Sequence, residues 1–380
     1  MGSGRLHHGD VTAATPDVTI VGGGPAGSTL AALLAGRGVD VTLFERDTFP
    51  RDKLCGEFLS YDALPIVERL GVDLAGAPDI HRCRVVGRRR TFAFDFPHRA
   101  RGVSRALLDL RLVESAVRAG ARVVTGTPVM SLDDVHSPVV VGAWGRWCRF
   151  DKELARPFVQ DRAHRSFGFK RHYRGAPNDG VISLFSFDRG YLGVNDVEGG
   201  ITNMCGLVNA SRLAGNKGRW EAFVETIRRE EPRVDDAFTG YAPAQETFLS
   251  STPVVFRARE PVDGGVFMIG DASGVIDPLA GNGMAMAIQS AMLAAPLILE
   301  LLAHPTRRAE VERRYSAIHA AYFRPRIAWS RRVAAVLSRP ALLNASLAGL
   351  RGQAAGAFLL DRTRGNHETF ARLASDWFGG

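Results

Sequence analysis

The run Val18-Thr19-Ile20-Val21-Gly22-Gly23-Gly24-Pro25-Ala26-Gly27 decides the fold. Its first four residues are apolar or β-branched and read as a short strand. The next six satisfy G-x-G-x-x-G. Gly22 permits the tight turn out of the strand, Gly24 lets backbone approach a pyrophosphate, and Gly27 lets the following helix pack close. Pro25 and Ala26 open that helix, whose positive N-terminus suits an anion. The pattern predicts a helix from about Pro25 to Arg37, stopped by Gly38 in a left-handed conformation. Val39 to Phe44 then alternates as a second strand and ends at Glu45, placed to accept from ribose hydroxyls, with Arg46 beside it as a further cofactor contact. This is one complete βαβ unit of a doubly wound α/β domain that binds an adenine dinucleotide.

The turn alone does not separate FAD from a nicotinamide dinucleotide. A second signature does. Met268-Ile269-Gly270-Asp271-Ala272 runs through Asp277-Pro278 to Gly281-Asn282-Gly283-Met284. A strand end delivers Asp271 toward a ribityl hydroxyl, and the 281–283 turn opens a helix whose N–H groups face an electron-rich flavin ring. Together these motifs resemble the flavoprotein superfamily of para-hydroxybenzoate hydroxylase and geranylgeranyl reductase. The resemblance covers roughly residues 17–300 and implies FAD held by Gly270, Asp271, Pro278, Gly281, Asn282, Gly283 and Met284. Lys53-Leu54-Cys55-Gly56-Glu57 looks like the K-x-C-G segment of the reductase-like branch, which implies Lys53, Cys55 and Gly56 beside the flavin; packing as a small hydrophobe is the other reading of Cys55. Ser104-Arg105 opens a helix as the family's FAD-contacting Arg does. Val124 lies where a family strand sets backbone against adenine.

The middle of the sequence has a different character. Ser166–His172, Val181–Phe187, Tyr191–Val194 and Ile201–Val208 read as strands of an antiparallel sheet, interrupted by a helix at Trp220–Glu230. The expected architecture is a Rossmann-like FAD domain of discontinuous segments (17–80, 100–157 and 252–303). An inserted antiparallel substrate domain (81–99 and 158–251) and a helical C-terminal region (304–380) complete it. Residues 1–16, rich in Gly, Ser, His and Thr and without an apolar core, read as a disordered lead. Phe167, Phe169, Phe185, Phe187 and Tyr191 alternate, so one sheet face is aromatic, either plain core or the wall of a lipophilic pocket. His172 and Tyr191, with Pro278 of the flavin segment, are the candidates to border the chemistry.

One departure from the family stands out. Flavin hydroxylases carry a G-x-D-G-x-x-S segment whose Asp serves FAD and the nicotinamide cofactor. Here Val141-Gly142-Ala143-Trp144-Gly145-Arg146-Trp147-Cys148 stands in its place, with Trp144 for the Asp. That puts NADPH or NADH as direct reductant in question, and Trp144 either stacks on a cofactor or fills space. The resemblance implies a monooxygenase that hydroxylates or epoxidises an aromatic or lipophilic, secondary-metabolite-like substrate through a flavin hydroperoxide. A reductase of the C=C bonds of prenyl groups (geranylgeranyl reductase-like), a halogenase and a non-redox flavoprotein or cyclase are the alternatives.

Bulk properties narrow the partners. The 380 residues carry a net charge of +8, with Arg far outnumbering Lys. The charge is scattered without interleaved aromatics, which argues against nucleic acid. It leaves room for an anionic cofactor, a carrier-bound substrate or a partner reductase. Four isolated cysteines, with no C-x-x-C, predict neither a metal site nor a disulfide framework and suit the cytoplasm. Met284–Ala303 is apolar, but Gln289, Pro296 and Glu300 within it favour a buried helix over a membrane span.

Overall fold

The structure is a computed structural model that describes residues 15–161, 164–213, 219–350 and 352–379. Of the expected disordered lead, residues 1–14 lie outside the described residues. In sequence order the strands are β1 (Val18–Val21), β2 (Val41–Glu45), β3 (Phe58–Leu59), β4 (Asp79–Val86), β5 (Thr91–Gly102), β6 (Arg122–Thr125), β7 (Val139–Gly142), β8 (Ser166–Arg174), β9 (Val181–Phe187), β10 (Gly190–Val197), β11 (Ile201–Asn209), β12 (Ala242–Pro243), β13 (Leu249–Ser250), β14 (Val262–Asp263) and β15 (Val266–Met268). They form two sheets.

The first sheet has the order β14-β15-β7-β1-β2-β6. All its pairs are parallel except β14 with β15. Its central strand β1 is buried on both faces, as a parallel sheet covered by helices requires. Helix Pro25–Ala35 is buried at every residue and packs between the sheet and helix Gly283–Ala303. Its first turn works only with glycine at two points. Gly22 has φ +113°, and a Cβ on Gly27 would stand 1.9 Å from the Gly22 carbonyl oxygen. Ser104 caps helix Arg105–Arg118 as expected, its hydroxyl accepting from the Leu107 N–H at 3.1 Å.

The second sheet runs β12-β8-β11-β10-β9-β4-β5-β3, with β13 also on β8. The antiparallel expectation holds for every pair but one. β4 and β9 run parallel, because β4 enters from a distant part of the sequence and closes on the outer side of the β9–β10 hairpin. Register also corrects the aromatic-face reading. Tyr191 pairs with Ser186, and Leu192 pairs with Phe185, so Tyr191 points opposite to the phenylalanines. Phe169, Phe185 and Phe187 are core under helix Trp220–Glu230, where Phe169 stacks on Trp220 and meets Phe223 edge-on.

Helix Gly283–Ala303 is long and apolar enough to cross a bilayer, yet 78% of its most apolar stretch is buried in protein. The expected helical C-terminal region comprises helices Arg308–Leu337, Pro340–Gly349, Gly352–Thr363 and His367–Gly379, and it reaches into the main core. Phe370 and Ala374 belong to the main core, Arg364 bonds the Gly281 carbonyl, and the Gly365 N–H donates to Asp62.

Candidate functional site

A cavity of about 850 Å³ lies between the two sheets. One wall carries the first motif. Gly22, Gly24, Pro25 and Ala26 line it, while Gly27 sits behind, where its missing side chain lets the helix meet the turn. The nearest group to a Cβ on Gly24 would be the Arg105 guanidinium at 3.7 Å, so bare backbone faces a cationic side chain across open space. That is a cradle for a pyrophosphate.

Glu45 and Arg46 line the adjoining part. Glu45 accepts from the Gly23 N–H at 2.7 Å and from Arg51 Nη1 at 2.6 Å. Burial pushes its carboxyl up, but Arg51, Lys53 and the Gly23 N–H outweigh that and hold it at about 2. A carboxylate fixed in its charged form is a firm acceptor for ribose hydroxyls. Arg51 itself has two buried guanidinium nitrogens without a hydrogen-bond partner among the described residues. Val124 is not at the cavity surface; it pairs with Phe44, which is. Strand β6 therefore backs this part of the cavity instead of lining it.

Lys53, Cys55, Gly56 and Arg105 come together on the next stretch of wall. Burial, then the Arg105 and Arg51 charges, lower the Lys53 ammonium to about 8. Arg105 is locked in a bidentate pair with Asp109 at 2.7 Å for both bonds. Opposite stand Gly270, Asp271, Pro278, Gly281, Gly283 and Met284. Burial raises the Asp271 carboxyl despite the Arg146, Arg259, Arg105 and Lys53 charges. It faces the cavity, ready to accept from a polyol. Asn282 does not face the cavity. It is fully buried and donates to both Asp62 oxygens at 3.1 Å.

Asp62 was missed by sequence reasoning. It also accepts from Gln289 Nε2 at 2.9 Å and from the Gly365 N–H at 2.7 Å. Arg364 donates to Ser60 Oγ at 3.0 Å and to the Gly281 carbonyl at 3.2 Å, with its guanidinium over Phe58, Tyr61 and Phe96. The 281–283 turn is thus held by partners far away in sequence.

The remaining wall comes from the second sheet and its flanks: Leu54, Ile182, Leu184, Leu207, Phe256 and Leu279, with Gly193, Asn195 and Cys205 between them. Tyr191 also lines it, and its hydroxyl donates to Asp277 Oδ1 at 2.7 Å. Burial lifts Asp277 to about 6, against the bonds from Tyr191 and the Leu279 N–H. His172 is not at the cavity surface. Its Nε2 bonds Glu57 Oε2 at 2.7 Å, which makes it a satisfied partner and not an acid or base facing substrate. Trp144 lines the edge and packs over Gly142, where a Cβ would meet its ring at 2.5 Å. It fills space beside Phe150, and its Nε1 donates to Asp151.

The cradle at Gly24, the fixed acceptor at Glu45 and the cavity-facing Asp271 suit the pyrophosphate, ribose and ribityl parts of FAD in turn. Residues 15–140 match the family described as FAD binding domain. That segment is similar to FAD-binding domains, and the fold and motifs of the chain are consistent with the FAD-dependent oxidoreductases. The 6-methylpretetramide 4-monooxygenase of Streptomyces rimosus is 28% identical over 403 residues, covering 94% of this chain and 92% of that protein. The tryptophan 2-halogenase of Chondromyces crocatus is 27% identical over 346 residues; the match covers 80% of this chain and only 65% of that protein's length. A geranylgeranyl bacteriochlorophyll reductase-like protein from Thermoplasma acidophilum shares the fold, with a TM-score of 0.77 at 18% identity. That match covers 96% of this chain and 99% of the other. Among the described residues no cluster of three or more His, Cys, Asp or Glu side chains is placed to hold a metal ion.

Proposed function

We propose that the protein is an FAD-dependent monooxygenase of an aromatic or lipophilic small molecule. The observation that supports this is the continuity of one cavity, from the glycine cradle to the apolar side of the second sheet. FAD bound there would supply the two-electron chemistry and, once reduced, the reaction with dioxygen.

The protein's own contribution is placement. Gly22–Gly27, Glu45 and Asp271 hold the dinucleotide and ribityl parts. Leu54, Ile182, Leu184, Leu207, Phe256 and Leu279 strip water from the substrate and keep the reacting centre dry. Tyr191, oriented by Asp277, offers a polar point on this wall for a substrate oxygen. The monooxygenase relative, matched over almost its whole length, supports this reading over halogenation.

A second reading is C=C reduction of a prenyl group, supported by Cys55 facing the cavity in its K-x-C-G loop. The test is product analysis of the FAD-loaded protein with candidate polyketide-like and prenylated substrates, with NADPH, NADH or a partner reductase as electron source. Oxygen from isotope-labelled dioxygen in the product supports monooxygenation. A saturated product formed without oxygen supports reduction, and a halogenated one in the presence of halide supports the halogenase alternative. Product made under argon with the flavin still oxidised supports a non-redox role.

A further inference from the structure

Glu57 is the most heavily bonded residue of the cofactor loop, and the monooxygenase reading gives it no role. It is fully buried and sits at φ +54°. That left-handed conformation is strained for a residue with a Cβ, so its surroundings must hold it there. They do. Lys170 Nζ donates to Glu57 Oε1 at 2.5 Å, the Arg105 N–H donates to the same oxygen at 2.9 Å, and His172 Nε2 bonds Oε2 at 2.7 Å. Asn195 Nδ2 donates to the Glu57 carbonyl at 3.4 Å. Burial would raise the carboxyl, but His172 and Lys170 outweigh it and keep it below the usual range.

The same sheet face grips the rest of the loop. Lys170 Nζ donates to the Lys53 carbonyl at 3.2 Å, and Asn203 Nδ2 donates to the Cys55 carbonyl at 3.2 Å. Lys170 pairs across the strands with Cys205, and Cys205 with Gly193, and both of those line the cavity. Glu57 therefore joins three things: the substrate-side sheet, the loop that presents Lys53 and Cys55, and the first residue of the helix that carries Arg105. A buried ion pair is a costly way to obtain stability alone, whereas its charge-assisted bonds fix geometry closely.

We propose that Glu57 is a positioning residue of the flavin site, through which the second sheet sets the Lys53–Gly56 loop and Arg105 against the cofactor. The proposal rests on the reading of this cavity as the FAD site. Its test is Glu57→Gln, which keeps the shape and removes the charge. FAD is titrated into the apoprotein by flavin fluorescence, and the midpoint potential of the bound flavin is measured by dye-coupled reduction. The expected result is FAD binding weaker by about tenfold or more, the loss of charge-assisted bonds, together with a shifted potential and an altered visible band. Should Glu57→Gln fail to fold, His172→Phe decides. It removes only the Oε2 bond and is expected to shift the potential in the same direction by less. Unchanged affinity and potential in a folded variant, with only its stability lowered, would overturn the proposal. A wild-type protein that binds no FAD would overturn the cofactor reading itself.

Discussion

The two walls of the cavity are made of different material. The wall under the glycine motif is largely backbone, a glycine turn and helix N-termini, with Glu45, Lys53, Arg105 and Asp271 set around it. The opposite wall is side chains standing on a sheet. Behind the first wall there is no room, since a Cβ on Gly27 would lie 1.9 Å from the Gly22 carbonyl oxygen. At Gly193 on the second there is, since a Cβ there would meet its nearest neighbours, the Cys205 carbonyl and Leu184, at 3.5 and 3.6 Å. Backbone recognition cannot be retuned by exchanging one side chain for another. A wall of side chains can, and that is where the proposed function puts substrate choice.

Substitutions on the two walls should therefore differ in kind. Gly27→Val has the largest expected effect: the helix cannot seat, and soluble, FAD-containing protein should be lost. Recovery of a folded variant with full flavin content would show that the close contact is not needed. Glu45→Ala comes next. It removes the proposed ribose acceptor and the partner of the Gly23 N–H and Arg51, so FAD affinity should fall about tenfold or more. Unchanged flavin retention through gel filtration would contradict the placement of the ribose.

Asp277→Asn probes the other wall by pH. Burial raises this carboxyl from 3.8 to about 6 in the folded protein. The folded state thus holds the proton more tightly than the unfolded state does. Stability from this group is full below pH 3.8 and is lost as pH rises through about 6. Asparagine keeps an acceptor for Tyr191 without a charge. It should raise stability at neutral pH by roughly 3 kcal/mol, with the gain fading toward acid pH. Melting curves across that range check it, and a pH-independent difference would exclude the linkage. The smallest effect is expected of Gly193→Ala: full FAD retention and stability equal to wild type or higher by about 0.5 kcal/mol. A variant that lost flavin would mean that the two walls are not separable at this point.

The difference between the walls also governs what could be read in the sequence. The cofactor wall is local. The Gly22–Gly27 turn, the strand ending at Glu45, the cap at Ser104 and the Gly270-Asp271 strand end each lie within a few residues of the pattern that reveals them. Their expected and observed positions agree within a residue or two. Where the site depends on partners far along the sequence, the reading stopped. Asn282 turns to Asp62, and Asp62 meets Gly365, some three hundred positions away. Glu57 was visible in its segment, but nothing local says that Lys170 and His172 close on it. Strand parity could have placed Lys170, His172 and Tyr191 on one face and the phenylalanines on the other. Of the two readings of the aromatic alternation, plain core holds for Phe169, Phe185 and Phe187, while Tyr191 lies on the other face.

The most direct test of the account is the stoichiometry and reducibility of FAD in the purified protein. The FAD-loaded protein is passed through gel filtration, then reduced anaerobically with NADPH, NADH and finally dithionite while its visible band is recorded. The expected result is about one FAD retained per protein molecule, bleached by dithionite at least and recovered on admitting air. Bleaching by NADPH or NADH would add that the Trp144 segment still permits direct reduction. A folded protein that releases all its FAD, or whose retained flavin no reductant can bleach, would contradict the placement of a redox-active flavin between these two walls.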